Sequence, residues 1–499
     1  MTKPGISLRL EKSLADAHRW KRLACWHDDG YFALRTADIG DVPVRLFLTP
    51  NLLESAEDTL YWQIVNATRF PGVKMVVITP DVHYGYGVPV GCVLITDYES
   101  GAIAMGPVGY DIGCGMMSAK SDVDVDAATP EKRLQFNRAV MERVAMGAGG
   151  KSRRLGTLTE SEFNNLVRGG AEYYVAKYAA SFDRSRAERH RIPVDDDWQP
   201  PWGGKGKPER GMQQMGSLGG GNHFIELQRE VNSDKLFIQV HTGSRGFGHG
   251  LATNYFELAR AEKPDEIKDI DLGYFTPDSK HYRDYLNAVA AGGNYAILNR
   301  LIIFEQVAEA FRETFNSDLE LIYEISHNLV QQEWHPDFGN VWVHRKGATR
   351  AFPAGYPLLK GTLWEDTGHP VLIPGSNKDF SYILRPLTNA LQSAYSVNHG
   401  AGRRLSRSQA AKTLSQRKVD DEYAAAGILV NDDGHVPIDE SSECYKSSAE
   451  VLQAVLNAGL AEIQYQLWPL ASLKGVEERP QWRKRKGRPT SPRASTEHY

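Results

Sequence analysis

The sequence predicts an α+β fold, with central β-sheets surrounded by helices and the active site at strand ends and loops. Three observations point there. Short apolar runs of strand length recur at 74–78, 91–95, 236–240, 319–325 and 341–344. Longer stretches that read as helix lie between them, at 54–70, 160–182 and 283–316. Four histidines stand in Gly-, Asn- and Ser-rich loops at or near the ends of apolar runs: Asn222-His223-Phe224, His241-Thr-Gly-Ser-Arg245, Ser326-His327-Asn328 and Asn398-His399-Gly-Ala-Gly-Arg403. A fifth segment, Asp111-Ile-Gly-Cys114-Gly, has the same character. Strands that end in such loops present side chains at a sheet edge, where a rigid scaffold offers them to a ligand.

Residues 5–50 form a mixed opening segment. Over 54–70, Leu60, Ile64 and Ala67 recur at helical spacing. The run 74–78 is a buried-strand pattern and leads into Pro80-Asp81-Val-His83-Tyr-Gly-Tyr-Gly; a second strand covers 91–95. Thr129-Pro130-Glu131 is a helix start, with proline in the first turn and an acidic residue beside it. Another helix covers 160–182. Residues 183–215 are charged, rich in Pro and Gly and without period, so they form a surface loop or insertion. The segment 283–316 is long and helical, with a break expected near Gly292-Gly293. No linker divides 70–475 and no internal repeat is present, so 1–475 is expected to be a single catalytic domain. Residues 476–499 carry Arg479, Arg483, Lys484, Arg485, Lys486, Arg488 and Arg493 among Pro and Ser, the composition of a basic, disordered tail. Such a tail solubilises, or adds non-specific affinity for RNA phosphates.

Of the 499 residues, 41% are hydrophobic and 24% charged, the balance of a soluble globular protein. The formal net charge of −4 means that a nucleic-acid partner requires a local basic patch. Four cysteines, Cys25, Cys92, Cys114 and Cys444, argue against a disulfide framework in so long a chain. No apolar run approaches the ~18–20 residues that span a membrane, and the N-terminus lacks an apolar signal core. A reducing cytoplasm is the expected location.

Asp111 and Cys114 lie three residues apart in a Gly-rich turn, close enough to share a metal site. Thiolate with imidazole favours Zn, Fe or Mn-type ions over Ca or Mg, and a thiolate can bridge two ions. His223, His241 and His327 add imidazole ligands. One such histidine alone would read as structural; the shared glycine-flanked context favours ligation. A purely structural zinc site is disfavoured, because those use tight paired spacings. His18, His27, His190, His281, His335, His369, His435 and His498 lack the context, and His249 is ambiguous. His399 stands apart, since Gly400-Ala401-Gly402 and Arg403-Arg404 follow it. Small residues let backbone N–H groups approach a phosphate, and arginine clamps one. Beside that cradle a neutral imidazole can attack phosphorus; alternatively, His399 is a fourth histidine ligand. His241–Arg245 and His344-Arg345-Lys346-Gly-Ala likewise set a cation near a metal or phosphate, or form solvated basic loops.

Together these residues resemble the RtcB family of RNA-splicing ligases. The matching stretches are Pro80-Asp-Val-His83 with Gly85-Tyr86-Gly87, Val108-Gly-Tyr-Asp-Ile-Gly-Cys114-Gly, Gly216-Ser-Leu-Gly-Gly-Gly-Asn-His-Phe-Ile-Glu226, His241-Thr-Gly-Ser-Arg-Gly, Ser326-His-Asn328, His344-Arg-Lys-Gly-Ala348, Pro374-Gly-Ser376 and Asn398-His-Gly-Ala-Gly-Arg403. Each is weak alone; in this order they are specific, and they imply an RtcB-like fold. The resemblance implies ligation of an RNA 3′-phosphate or 2′,3′-cyclic phosphate to a 5′-hydroxyl, with GTP and two Mn²⁺ ions, in tRNA splicing or RNA repair. It implies that His399 carries GMP and that Asp111, Cys114, His223, His241 and His327 hold the metals, with Cys114 bridging. Asn222, Glu226, Ser376, Ser381, Gly400, Ala401, Gly402, Arg403, Tyr445 and Lys474 would bind the nucleotide. Arg245, Lys346 and Arg403 would bind phosphates, and Asp81 would support the site. RNA, tRNA foremost, is the implied partner, with an archease-like activator.

The sequence departs from the family after Ser376, where Asn377-Lys378-Asp379-Phe380 replaces the usual Met-Gly-Thr before Ser381. Tyr84 stands where Pro is usual after His83, and Gly113 replaces a usual Asn. These changes suggest a divergent bacterial paralogue with altered nucleotide affinity or choice. Two alternatives to the ligase stay open: a metal-dependent phosphodiesterase that only opens cyclic phosphates, and a non-catalytic RNA-end binder that uses the basic tail.

Overall fold

The computed structural model describes residues 14–187 and 191–475. Two large sheets organise it. The first has seven strands, in spatial order Ala24–His27, Tyr31–Leu34, Val44–Leu46, Val73–His83, Val90–Asp97, Gly339–Lys346 and Asn328–His335. The backbone of the second orders Glu320–Ser326, Gly115–Asp124, Lys235–Thr242, Phe224–Glu230, Ala461–Lys474, Ser381–Pro386 and Val371–Ile373, with Leu429–Val430 added beside Ala461–Lys474. Nearly all pairs are antiparallel; the strand pairs Val44–Leu46 with Val73–His83 and Leu429–Val430 with Ala461–Lys474 are parallel.

The first sheet is apolar on both faces. Val76, Ile78 and Leu94 join the main core, while Met75, Val77, Val93, Ile95, Val341 and Val343 join a second core with Phe352, Val371 and Leu384. Strand alternation explains the split, because successive side chains point to opposite faces. Such two-sided burial is why these strands read as unbroken apolar runs.

The helix Tyr282–Phe315 runs 34 residues without interruption, buried along most of its length behind the second sheet. The break expected at Gly292-Gly293 is absent. Both glycines serve close packing instead: a Cβ on Gly292 would lie 2.9 Å from Ile112, and one on Gly293 2.7 Å from Ile192. Helices Glu160–Tyr178, Pro130–Arg143 and Arg245–Glu262 pack around this spine. The start at Thr129 is as predicted, with the Lys132 amide donating to Thr129 Oγ1 at 3.3 Å and Pro130 in the first turn. The helix predicted at 160–182 ends at Tyr178 and kinks at Gly170, whose φ is +55°.

The single helix expected over 54–70 is two, Pro50–Ser55 and Leu60–Ala67, because Ala56 is extended and ends the first. The segment 183–215 is largely irregular, with short 3₁₀ turns at Arg184–Arg186 and Pro208–Gln213. It is more than a surface loop: Val194 and Trp198 are buried, and the amides of Ile192 and Asp195 donate to Asn294 and Asn287 of the long helix. The basic segment 476–499 lies outside the described residues, as do His190 and His498. No described helix is long and apolar enough to cross a membrane, and all four cysteines are free thiols.

Candidate active site

Four neighbouring strands of the second sheet bring the predicted ligands to one end. Cys114 precedes Gly115–Asp124, His241 lies near the end of Lys235–Thr242, His223 precedes Phe224–Glu230, and His327 follows Glu320–Ser326. Antiparallel order makes starts alternate with ends, so all four residues share one edge. His327 is also the single residue between strand Glu320–Ser326 of the second sheet and strand Asn328–His335 of the first. The cluster therefore sits where the two sheets meet.

Cys114 Sγ lies 3.3 Å from His241 Nε2 and 3.7 Å from His223 Nε2. His241 Nε2 is 3.3 Å from His327 Nε2, and His223 Nε2 is 3.1 Å from Asp111 Oδ2. Two triads result, Cys114–His241–His327 and Asp111–Cys114–His223, each with its ligand atoms within 4.8 Å. They share the thiol. His223 Nδ1 meets the Leu218 carbonyl at 3.0 Å and His241 Nδ1 the Asn222 carbonyl at 3.1 Å. Each pairing assigns the proton to Nδ1 and leaves the Nε2 lone pair facing the cluster, the arrangement a ligand histidine needs. Burial, with neighbouring imidazoles adding to it, holds His241 and His327 well below the usual histidine range, hence neutral. Burial and then Asp111 raise the Cys114 thiol. One thiol, three imidazoles and a carboxylate suit a transition-metal ion.

A buried layer from the long helix fixes these loops. Arg300 is fully buried and donates to Glu324, to the carbonyls of Gly113 and Thr242 at 2.7 and 2.8 Å, and to Ser326 Oγ at 2.8 Å. One guanidinium thus ties the backbone beside Cys114 and His241 to the Ser326 side chain beside His327. Asn299 ties Ser217, Thr242 and Gly243. Gly243 packs directly against Asp111: a Cβ there would lie 2.3 Å from Asp111 Oδ1 and would displace that carboxylate.

His399 follows the short strand Ser396–Asn398. Its Nδ1 lies 2.6 Å from Asp81 Oδ2, which also accepts the amides of His399 at 3.0 Å and Gly400 at 3.2 Å; Thr79 Oγ1 donates to Asp81 Oδ1 at 2.6 Å. Burial would raise the Asp81 carboxyl, but His399 and these hydrogen bonds outweigh it and hold it below the ordinary carboxylate range. The ionised Asp81 keeps the imidazole proton on Nδ1, which leaves Nε2 as a lone-pair nitrogen. The His399 ring lies 4.9 Å from that of His327 and 6.4 Å from that of His83. The small residues after His399 wrap Asp81: the Gly400 amide is taken by its carboxylate, and a Cβ on Gly402, at φ +77°, would lie 2.1 Å from the Asp81 carbonyl.

Comparison with known proteins decides the family. The family model described as tRNA-splicing ligase RtcB matches residues 63–475. The chain belongs to the RtcB family. It is 34% identical over 468 residues to the tRNA-splicing ligase RtcB of Pyrobaculum aerophilum, covering 87% of this chain and 95% of the relative. It is 32% identical over 462 residues to the protein of that name from Methanococcus maripaludis, with the same coverages. Against the RNA-splicing ligase RtcB of Mycobacterium tuberculosis it is 34% identical over 442 residues, 83% of this chain and 100% of the relative.

The other residues that the RtcB resemblance singles out form an adjoining zone. Glu226 is buried and accepts from Gln228 at 2.9 Å and Ser472 at 3.3 Å; burial pushes its carboxyl up to about 7, against the pull of Lys474. Ser381 Oγ takes the Gly375 amide at 2.9 Å and Gln228 at 3.2 Å. Arg403 stacks on Tyr445, and both bind buried Glu440. Arg245 donates to the carbonyls of Gly147 and Ala148 and is positioned by a φ of +55°. The turn 376–379 closes by the Asp379 amide on the Ser376 carbonyl at 3.0 Å; beyond it, Asn377 accepts from Tyr423, Lys378 pairs with Glu422, and Asp379 takes the Ser448 amide.

Two cations of the strand Gly339–Lys346 are buried rather than solvated. Lys346 Nζ is buried and bonded to the carbonyls of Tyr86 and Val88, with burial pulling it down to about 8. Arg345 points to the opposite face of its strand, into a buried pair with Glu333, as alternation requires. His344 is structural, bonded to Leu94 and Ala104. Sequence reasoning gave no role to His83, Arg300 or Asn299. Thr79, Asp81 and His83 fall at i, i+2, i+4 of one strand, a same-face pattern that was available to find them; Arg300 within apolar 296–304 was a comparable signal.

Proposed function

We propose that this chain is an RNA ligase of the tRNA-splicing or RNA-repair kind. It joins an RNA 3′-phosphate, or a 2′,3′-cyclic phosphate once opened, to a 5′-hydroxyl, with GTP as co-substrate. The observation that carries this reading is the Asp81–His399 pair, set beside His327 of a thiol–imidazole cluster in an RtcB-family chain. Asp111, Cys114, His223, His241 and His327 would hold Mn²⁺, two ions by the two triads; bound there, Mn²⁺ would neutralise phosphate charge.

His399 Nε2 attacks the α-phosphorus of GTP and pyrophosphate leaves. Asp81 stabilises the positive charge that develops on the ring. An oxygen of the RNA 3′-phosphate then takes the GMP from His399, which regains its lone pair. The 5′-hydroxyl attacks the activated 3′-phosphate and GMP departs. Asn222, Glu226, Ser376, Ser381, Tyr445 and Lys474 bind the nucleotide, and Arg245 and Arg403 the phosphates. RNA with such ends, tRNA foremost, is the substrate in a reducing cytoplasm, and an archease-like protein is the activator.

The test is incubation with α-labelled GTP and Mn²⁺. The wild-type protein should take up acid-labile label and seal a 3′-phosphate to a 5′-hydroxyl; His399→Ala should do neither. A wild-type protein that opens 2′,3′-cyclic phosphates yet takes no label would be a phosphodiesterase and would overturn the ligase reading.

A further inference from the structure

The stretch of strand that carries Asp81 is not held by its own sheet. In Val73–His83, Ile78 stands opposite Cys92 and His83 opposite Val90, so the four residues 79–82 face Gly91 alone. On the other side, the ladder with Val44–Leu46 ends at Ile78. The result is a wide bulge, an irregularity that re-aims a side chain beside an active site. It turns the Asp81 carboxylate onto His399. It also takes the carbonyls around Asp81 out of the ladder, so other groups must satisfy them.

Those groups come mainly from a distant segment. Lys446 Nζ donates to the carbonyls of Pro80, at 3.4 Å, and Val82, the two residues that flank Asp81. His83 Nδ1 donates to the carbonyl of Asp81 itself at 3.0 Å. Among the described residues the Lys446 ammonium forms no ion pair with a carboxylate; both of its bonds go to backbone. Burial lowers this ammonium, and Asp81 opposes that more than any other charge. The backbone of the same segment holds the other partner. The Lys446 amide donates to the Gly402 carbonyl at 2.9 Å, Tyr445 and Arg403 face each other in an antiparallel bridge, and the Arg404 amide donates to the Cys444 carbonyl at 2.7 Å. Residues 444–446 therefore lie as a short strap along the segment that follows His399, and Lys446 reaches from the strap to both sides of Asp81.

We infer that Lys446 is a positioning residue for the nucleophile, fixing the Asp81 bulge against the His399 loop so that the carboxylate meets Nδ1 and Nε2 is aimed for attack. The inference rests on the reading of His399 as the residue that takes GMP. Placement matters here because a misplacement of about 1 Å costs on the order of 10²-fold in rate. The strap also carries Tyr445 beside Arg403, so a nucleotide bound to those two side chains lies on the segment that sets the Asp81–His399 geometry.

The test compares the full chain with its Lys446→Met and Lys446→Arg variants, using α-labelled GTP and Mn²⁺ in single turnover over a range of GTP concentrations. Methionine keeps the apolar stem and removes the donors. Its maximal labelling rate should fall on the order of 10²-fold, with the half-saturating GTP concentration within about twofold of wild type. Lys446→Arg, which keeps charge and donors, should recover most of the rate. In an Asp81→Asn background the methionine change should cost less than about threefold, because both changes act on the same step through the same carboxylate. A wild-type labelling rate in Lys446→Met would overturn the inference, as would a loss equally large with and without Asp81. Lys446→Gln takes the place of the methionine variant in the same comparison if that variant folds poorly. Failure of the ligase reading is distinct: wild-type protein that takes no label from GTP.

Discussion

Asp81 and His399 form the most constrained pair of side chains in the site. A fully buried carboxylate that accepts three N–H groups and a hydroxyl cannot be exchanged for an amide without cost, since Asn offers one acceptor oxygen and a nitrogen that must donate. Asp81→Asn should therefore leave His399 in the wrong tautomer. The expected outcome is a drop of about 10²- to 10⁴-fold in the rate of GTP labelling, measured under single turnover, with little change in Mn²⁺ binding. Cys114 contrasts with this pair. Its thiol lies in both triads, so Cys114→Ala should weaken occupancy of both, read as loss of Mn²⁺ stoichiometry by electron paramagnetic resonance. At this scale the sequence was informative: the five candidate ligands and His399 were singled out by their loop context, and the structure brings them together. What the loops did not reveal was the use of the small residues after His399, which close on Asp81.

Among the elements, the helix Tyr282–Phe315 does most to hold the site in place. It carries the one buried guanidinium that ties three ligand-bearing loops, and its glycines let Ile112 approach. Removing one partner of a buried ion pair leaves the other charge uncompensated, at about 3–5 kcal/mol. Arg300→Met should accordingly lower the melting temperature and weaken Mn²⁺ binding. Arg300→Lys, which restores charge without the fork, should recover stability better than metal affinity. Equal metal affinity in wild type and Arg300→Met would show that the loops hold their shape without it. The expected break at Gly292-Gly293 failed here for a physical reason: each glycine weakens a helix by only about 1 kcal/mol, and burial of the helix behind the second sheet outweighs that.

For the whole molecule, the meeting of the two sheets at His327 sets the site, and burial there shifts protonation. Glu226 titrates near 4.5 in the unfolded chain and near 7 when folded. Between those values the folded protein binds a proton that the unfolded chain has released, so this group makes stability fall as pH rises from about 4.5 to about 7. Glu226→Gln removes the effect. Its stability relative to wild type should be unchanged near pH 4 and should rise to a plateau above pH 7, on the order of 3 kcal/mol. Denaturant melts of both proteins across that range check the sign.

The sequence by itself determined the kind of chemistry. Residue types, their loop context and their order select a candidate metal cluster, a candidate nucleophilic histidine and the RtcB family, because those are properties of short segments. It also located five of the nineteen described strands, since apolar runs of four to seven residues are local; the rest are too short or too mixed in composition to stand out. Tertiary structure alone decided that Asp111 and His327, over two hundred residues apart, flank one thiol, that Asp81 orients His399, that Arg345 pairs with Glu333, and that Lys346 bonds to the carbonyls of Tyr86 and Val88. The reason is range. Period and composition are set by neighbours in the chain, whereas these pairings depend on the register of strands across two sheets and on a helix whose polar side chains find partners only once the sheets are in place.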